Sequence, residues 1–479
     1  AAAFLNLFFC SINVDCYYYI PNRENEGYGL SKKGIDYAKY IGADLLITCD
    51  CGIVSFEEVL YAKKLDIDII VTDHHKAENK LPKAYAIINP NRKDCNYPFK
   101  GLCGSGVAFK LALAICKKAN YDYKLAWDHV DIVTLGIAAD LVPIQDENRI
   151  ISHYGILQIK KSTNFGISAL IKTSRINQNE VTIGQLVFWI TPKINAAGRL
   201  GDASRAVKLL TTKNPFLAME IAKDLEKENI KRQEITEQLT NEALYIIKTT
   251  CDLENESAIV ITGKDWHPGV IGIVASRIKD TYARPTIIIS QNSIECRGSC
   301  RSIAGFDMVE ALSECKEYLL GYGGHPIAAG LSIKLSRIID FKKKFIDFAN
   351  NNIPKNNLIP IIKIDSVVNL EELNHRMIKF LKALEPYGPG NNRPVFVTNN
   401  LLIDGIPKLL GRDQKTIKFF IKQNKTLIES VGFNMANHYE KLITNRPIDI
   451  AYVVGENIWN GKKTIQLQLK DIKLSQNYA

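Results

Sequence analysis

DLLITCDCGIVSFEEVLYAKKLDIDIIVTDHH, residues 44–75, reads as one β–α–β unit. DLLITCD (Asp44–Asp50) is a short apolar strand that ends in a carboxylate, and Gly52 breaks it. SFEEVLYAKKL (Ser55–Leu65) has the spacing of an amphipathic helix, with Ser55 placed as its N-cap. DIIVT (Asp68–Thr72) is a second apolar strand, and it runs straight into Asp73, His74 and His75. Open sheets of parallel strands put ligand sites just beyond the strands' carboxyl ends. Asp50 and the Asp-His-His triplet each stand at such an end, so the pattern predicts that they share one site.

Further along, GVAFKLALAICKKA (Gly106–Ala119) is helical, and DIVTLGIAADLVPI (Asp131–Ile144) is apolar nearly all round yet carries Asp140. A carboxylate deep inside an apolar helix requires a partner, because an unpaired buried charge costs several kcal/mol. Asp50, Asp73, His74, His75 and Asp140 together form a nitrogen and oxygen ligand set without obligatory sulfur. Imidazole with carboxylate suits Mn²⁺, Fe²⁺ or Zn²⁺, and carboxylate with water suits Mg²⁺. Such ions hydrolyse phosphoesters by activating water and clamping phosphoryl charge. Cys49 and Cys51 flank Asp50, but no second cysteine pair has zinc-ligand spacing, so both are expected to pack as small apolar residues.

A long polar–apolar run, roughly 214–249, is expected to be a helix leading to another domain. The second half opens with a strand (ESAIVITGKDW), a helix (GVIGIVASRIKDTY) and a strand (RPTIIIS), again α/β. It holds two glycine-rich stretches, RGSCRSIAGFD (Arg297–Asp307) and GYGGHPIAAGLSI (Gly321–Ile333). These are either tight turns or phosphate-binding backbone, with Arg301 and His325 as charge-assisted donors. Trp266 and His267, before a helix start, either stack on a base or pack. From about Ile359 short alternating segments separated by turn residues predict a small β-barrel. Its Lys408, Arg412, Lys415, Lys418, Lys422 and Lys462 form either a solvated basic surface or a single-strand platform.

The chain has 479 residues, enough for three or four domains at roughly 100–200 residues each. A net charge of +10 fits a polyanionic partner as well as a lysine-rich proteome. Charged residues at 23% and hydrophobic ones at 46% argue against large-scale disorder. No apolar run reaches the roughly 20 residues of a membrane span. Eleven scattered cysteines point to a reducing, cytoplasmic compartment. AAAFLNLFF, the first residues, lack an initiator Met and look like the inside of an apolar helix, which points to a fragment without its natural N-terminus.

These residues resemble the DHH phosphoesterases. Asp73-His74-His75 is similar to that family's signature, LLITCDCGI to its second motif and LGIAADLVPI to its fourth. PKINAAGRLGD, WHPGVIGIVASR, GSCRSIAGFD and GYGGHPIAAGLSI resemble the RecJ branch and its DHHA1 domain, and LEPYGPGNNRPVF its lead-in to an OB-fold domain. The resemblance runs along essentially the whole chain, in order. It implies an exonuclease that degrades single-stranded DNA from the 5′ end, in DNA repair and recombination, with Mn²⁺ or Mg²⁺ at a two-metal site. It implies that Asp50, His74 and Asp140 are metal ligands, that Asp73 orients its neighbours, and that His75 contacts the scissile phosphate. It implies that Ser299 and Arg301 hold the 5′-phosphate end, and that Arg199, His267, Arg277, Gly324 and His325 belong to the DNA-binding surface. A cleft that admits one strand would give single-strand specificity by shape. One departure is expected to matter. The family's first motif, an Asp-x-Asp that should precede a helix like AAAFLNLFF, is not in this chain, so metal binding and cutting are expected to be weak. Cys300 stands where glycine is usual.

The fold class is therefore α/β. Two α/β domains joined by a long helix around a central cleft precede a C-terminal OB-fold barrel. Expected boundaries are 1–180 (DHH), 181–250 (helical connector), 251–350 (DHHA1) and 351–479 (OB fold). Expected partners are single-stranded DNA with a 5′ end, a helicase and a single-strand-binding protein, with no membrane. Two other functions fit parts of the pattern. A DHH phosphodiesterase for short oligonucleotides would have no need of the barrel. A non-catalytic single-stranded-DNA scaffold would have no need of intact Asp50, His74, His75 and Asp140.

Overall fold

A computed structural model describes the chain apart from residues 23–25, 28, 78, 201, 292–293, 412, 445, 460–461 and 476–479, and apart from the side chains of 199, 200, 458, 459 and 462. The expected β–α–β unit is present as strand β1 (Leu45–Cys49), helix α1 (Phe56–Lys64) and strand β2 (Asp68–Thr72). β1 and β2 pair in parallel, Leu45 opposite Asp68 through Cys49 opposite Thr72. A third parallel strand, β3 (Ala86–Ile88), extends the sheet on the β2 side. It is too short and too weakly patterned to stand out in the sequence. Ser55 occupies the N-cap position of α1 as expected, but its hydroxyl makes no capping hydrogen bond.

Helices build the core beside this sheet. α2 (Gly104–Ala119), α3 (Val130–Asp140) and α4 (Asp146–Lys160) pack with the helix Ala2–Ser11, whose Phe4 and Phe8 are fully buried beside Phe109. α3 ends earlier than its apolar pattern suggested. Leu141 turns left-handed at φ 56°, and Pro143 two residues on is incompatible with a continuing helix. Asp140 is thus the last residue of α3, with a side chain 39% exposed, and is not buried inside the helix as expected. The buried carboxylate of α3 is Asp131, 2% exposed, with the Ile132 N–H donating to Oδ1 at 2.8 Å.

Burial pushes the Asp131 carboxyl up to about 6 from its ordinary 3.8. A raised folded-state pKa favours folding below pH 3.8, and the advantage is lost as pH rises through about 6. The gap of about 2 pH units corresponds to about 3 kcal/mol. Asp131→Asn is therefore expected to gain about 3 kcal/mol on the wild type between pH 4 and pH 7.5. Urea unfolding at both pH values measures this, and a pH-independent difference between the two proteins refutes it.

The helix expected at roughly 214–249 is α5 (Pro215–Thr250), 36 residues and roughly 54 Å long. The Asn214 side chain caps it by accepting from the Phe216 and Leu217 N–H groups. Ala218, Ile221, Ala222 and Leu225 pack in the first core, whereas Leu239, Ala243 and Ile247 pack in a second one with helix α6 (Pro268–Tyr282). One continuous helix therefore joins the two α/β units.

The second unit has a five-stranded sheet in the order β4 (Ile259–Lys264), β5 (Thr286–Gln291), β6 (Glu295–Arg301), β8 (Ala328–Lys334), β7 (Leu319–His325). β4 and β5 are parallel and the remaining pairs antiparallel. The two glycine-rich stretches lie on adjoining strands of this sheet. RGSCR lies in β6 and GYGGH in β7, with turns after each, and at Gly298 and Gly324 the absence of a side chain permits close strand packing. At Gly298 a Cβ would lie 2.8 Å from Leu331 Cδ1.

The expected barrel is closed. Strands β10 (Phe396–Leu410), β11 (Thr416–Gln423), β12 (Thr426–Gly432), β14 (Lys462–Leu474) and β13 (Ile448–Trp459) form a ring sealed by the β10–β11 pairing. The short strand β9 (Ser366–Val367) adds outside β10 in parallel. Among the described residues, no helix is long and apolar enough to cross a membrane.

Candidate metal centre and its surroundings

Asp50 follows β1 and adopts φ +63°, a left-handed conformation that aspartate tolerates better than most residues. Its backbone N–H donates to Thr72 O at 2.9 Å, which fixes it against the end of β2. His74, two residues past β2, brings Nε2 to 3.0 Å from Asp50 Oδ1 and 3.4 Å from Asp140 Oδ2. Two parallel strand ends thus converge on one imidazole nitrogen, as the spacing predicted, and the C-terminus of α3 joins them there. Asp50, His74 and His75 form a cluster whose ligand atoms lie within 4.8 Å of one another.

The donor set fits a divalent cation. His74 Nε2 is shielded from solvent, yet neither carboxylate is aligned to accept a hydrogen bond from it. Two ligands about 2.1 Å from one ion at right angles lie about 3.0 Å apart, which is the separation seen here. Burial would lower the His74 pKa, but contact with Asp50 and the charges of Asp140 and Asp50 outweigh it and raise it. Burial, with the Asp50 charge, raises the Asp140 carboxyl despite the opposing effect of His74. A cation must displace the proton that the raised His74 pKa retains, so metal affinity weakens as pH is lowered.

Asp73 does not face the metal ligands. It is 1% exposed, and its carboxylate gathers the local backbone. Oδ1 accepts from the N–H groups of His74 (2.7 Å) and His75 (3.2 Å) and lies 2.7 Å from His75 Nδ1, while Oδ2 accepts from Ile53 N–H (3.0 Å). Burial alone would raise its pKa. The bonds from the His75 ring and from the Ile53 and His75 N–H groups, together with the His75 charge, outweigh it and hold the carboxyl below its ordinary value. The Asp73 bond, ahead of the opposing burial, raises the His75 pKa.

Sequence reading missed two asparagines here. Asn89 Nδ2 donates to His75 O (2.9 Å) and Asn91 Nδ2 to His74 O (2.6 Å). They follow β3, so the strand-end rule that selected Asp50 would have selected them had β3 been legible. Gly104, the first residue of α2, was also missed. A Cβ there would lie 2.4 Å from both Cβ and Oδ1 of Asp50. Burial pushes the Cys49 thiol up to about 11 and Cys51 to about 12, which suits packed thiols rather than zinc thiolates.

The second unit meets the site through His325, the last residue of β7. Its ring stacks near-parallel on His75, with centroids 6.2 Å apart and 15° between planes. Gly324 has a packing role beside it. At φ +143° a Cβ would lie 2.5 Å from Ala328 O, so only glycine keeps the β7–β8 hairpin closed at His325. His325, Ala328 and Arg301 are aligned across β7, β8 and β6, which puts Arg301 two strands over on the same face, roughly 10 Å away. Arg301 donates to Ser276 Oγ (3.1 Å), Ser299 Oγ (3.2 Å) and Cys300 O (2.8 Å). Gly272 lets α6 approach both side chains. A Cβ there would lie 2.9 Å from Ser299 Oγ and from Arg301 Nη2.

The remaining expected residues lie further out. Trp266 packs rather than stacks on a base. It is 3% exposed and donates from Nε1 to Glu242 Oε2 of α5 at 2.8 Å. His267 is the N-cap of α6, with Nδ1 accepting from Gly269 N–H at 3.0 Å. Arg277 is exposed and lines a groove of about 600 Å³ with Arg232, Pro192 and Phe188. Phe188 and Trp189 are 75% and 58% exposed on the π-helical turn Leu186–Ile190, a feature that no local pattern announced. The Arg199 side chain lies outside the described residues, as do Arg412 and the Lys462 side chain. On the barrel, Lys408, Lys415 and Lys422 are exposed, whereas Lys418 pairs with Glu429 at 2.5 Å.

The chain is similar to known proteins along nearly its whole length. The DHH family N-terminal domain matches residues 1–137, the DHHA1 domain 255–351 and the RecJ OB domain 364–471. The single-stranded-DNA-specific exonuclease RecJ of Haemophilus influenzae is 35% identical over 471 residues, covering 95% of this chain and 81% of that protein. The protein of the same name from Bacillus subtilis is also 35% identical, over 96% of this chain, and the chain spans 58% of its length. The crystal structure of RecJ from Thermus thermophilus in complex with Mn²⁺ superposes with a TM-score of 0.84 at 26% identity, covering all of this chain and 68% of that one. With the Asp-His-His centre, the stacked His75–His325 pair and the closed barrel all in place, the chain belongs to the RecJ family of single-stranded-DNA-specific exonucleases.

Proposed function

We propose that this chain is a metal-dependent exonuclease that removes nucleotides from the 5′ end of single-stranded DNA. The observation that carries this reading is His74 Nε2 held at 3.0 and 3.4 Å from two carboxylates, directly beside the His75–His325 pair. In this reading Asp50, His74 and Asp140 hold Mn²⁺ or Mg²⁺. When bound, the ion supplies positive charge to the phosphoryl oxygens and activates water for attack. Asp73 sets the tautomer and direction of His75 by bonding its Nδ1, which leaves Nε2 to address a phosphate oxygen. Ser299 and Arg301 receive the 5′-phosphate end, and the backbone contacts of such a site read no sequence. Arg277 and His267 line the strand's approach. The exposed Phe420 and Phe433, with Lys422 two residues from Phe420 and Lys408 on the neighbouring strand β10, offer the barrel a stacking and charge surface for single strands.

The DNA substrate and eleven free cysteines support a cytoplasmic enzyme, working beside a helicase and a single-strand-binding protein that expose the strand. The test uses a 5′-phosphorylated, 3′-labelled oligonucleotide, single-stranded or blunt duplex, with Mn²⁺, Mg²⁺ or EDTA. Stepwise shortening of the single strand only, abolished by EDTA, is the expected result. Binding of the strand without cleavage in either metal would replace the enzyme by a scaffold. Cleavage confined to oligonucleotides of a few residues would replace it by a small-substrate phosphodiesterase.

A further inference from the structure

We propose that the loop Leu384–Asn391 at the head of the barrel unit is a positioning clamp for Asp140, so that docking of the barrel sets the geometry of the metal site. This rests on the reading of Asp140 as a metal ligand. Asp140 closes α3, where helices fray most readily. A carboxylate at a helix C-terminus is opposed by the helix dipole, and α3 has no basic side chain in its last turn to offset it. The connection Leu141–Gln145 that follows must therefore be held from elsewhere.

It is held from two sides. Within its own unit, Asn148 Nδ2 donates to Pro143 O at 2.9 Å and Gly101 O at 2.6 Å. From the barrel side, Ile144 N–H donates to Pro389 O at 2.6 Å and Gln145 Nε2 to Gly390 O at 2.8 Å. Arg149 Nη2 reaches Ala383 O (3.4 Å) and Leu384 O (3.2 Å) at the carbonyl end of helix α7 (His375–Ala383). Ile144 is 1% exposed and rests on Gly388, where a Cβ would lie 2.5 Å from Ile144 Cγ1. Gly390, at φ +75°, allows a similar approach to Pro143, with a Cβ 3.2 Å from Pro143 Cβ.

The loop is a preformed block. Gly388 and Asn391 exchange backbone hydrogen bonds at 3.0 Å, and Asn391 Nδ2 donates to Leu384 O and Pro386 O, both at 2.9 Å. Arg393 lies over the Tyr387 ring. A rigid surface thus fixes the chain four and five residues after Asp140. Moving the barrel would release the last turn of α3 and widen the 3.4 Å approach of Asp140 to His74.

The test is made on the full chain, with Mn²⁺ alone as the calorimetric ligand. Gly388→Val places a branched side chain against Ile144. It is expected to weaken Mn²⁺ binding about tenfold and to lower kcat while leaving KM for single-stranded DNA within about twofold. Adding Ile144→Ala makes room for the valine and is expected to restore most of the Mn²⁺ affinity. Arg149→Ala, which only removes hydrogen bonds, is expected to lower Mn²⁺ affinity by a smaller factor and serves if Gly388→Val does not fold. Wild-type Mn²⁺ affinity in the folded variants overturns the clamp. His74→Ala separates the two readings. If it also binds Mn²⁺ like wild type, the metal-site assignment has failed; if it alone loses Mn²⁺, the clamp has.

Discussion

Asp73→Ala is expected to lower Mn²⁺ affinity by about 10–100-fold and to destabilise the protein by about 3 kcal/mol or more. The two losses have one cause. Three backbone N–H groups, those of Ile53, His74 and His75, donate to this one buried carboxylate, and the His75 ring is bonded to it as well. Each buried donor left unpaired costs about 1–3 kcal/mol. The same bonds hold the backbone that aims His74 at Asp50 and Asp140. Asp73→Asn separates the contributions. Its Oδ1 can still accept from His74 and His75, but its amide would face the Ile53 N–H with a donor. It is expected to recover part of the stability and less of the Mn²⁺ affinity. Urea unfolding and Mn²⁺ calorimetry on the three proteins measure this. An alanine variant with wild-type stability would refute the role given to the carboxylate.

Gly104→Ala is expected to lose Mn²⁺ affinity to a similar extent, although it removes no functional group. The added methyl would lie 2.4 Å from Asp50 Cβ and 2.6 Å from Cγ. Asp50 cannot retreat. Its N–H is bonded to Thr72 O, its backbone is already left-handed at φ +63°, and the next chain segment is fixed by Thr48 Oγ1 donating to Cys51 O at 2.7 Å. The carboxylate must turn away from His74, and overpacking adds about 1–3 kcal/mol of destabilisation. Gly106→Ala, two residues on in the same helix, is the control. Its nearest neighbour would be a Leu102 methyl at 3.1 Å, which can yield, so Mn²⁺ affinity should be unchanged. Equal effects at both positions would show a helix defect and refute the contact with Asp50.

The local sequence determined which residues could form the centre. Asp50 and Asp73–His75 stand at the ends of two apolar strands joined by one amphipathic helix, and the chain has few ways to arrange such a unit except with both ends together. The long connecting helix and the alternating barrel strands were legible for the same reason, since each carries its own period of apolar residues. The third strand, Ala86–Ile88, was not, because three residues carry no period, and Asn89 and Asn91 were hidden with it. The glycine-rich stretches do not announce strands, because glycine marks loops and close strand packing alike. Only partners distant in sequence, such as Leu331 against Gly298, distinguish the two.

Tertiary structure alone decided what each candidate does. Asp140 and Asp131 lie in one apolar run, and composition favours neither as the exposed ligand. The left-handed turn at Leu141 puts Asp140 at an open helix end, and packing buries Asp131. Asp73 and His74 are adjacent just past β2, yet one carboxylate turns back onto the N–H groups of Ile53, His74 and His75 while the next side chain turns to Asp50 and Asp140. His325 lies 250 residues from His75 in sequence, and only the docking of the two α/β units stacks their rings. Residue type and local period set the available chemistry. Contacts between segments far apart in the chain set its geometry.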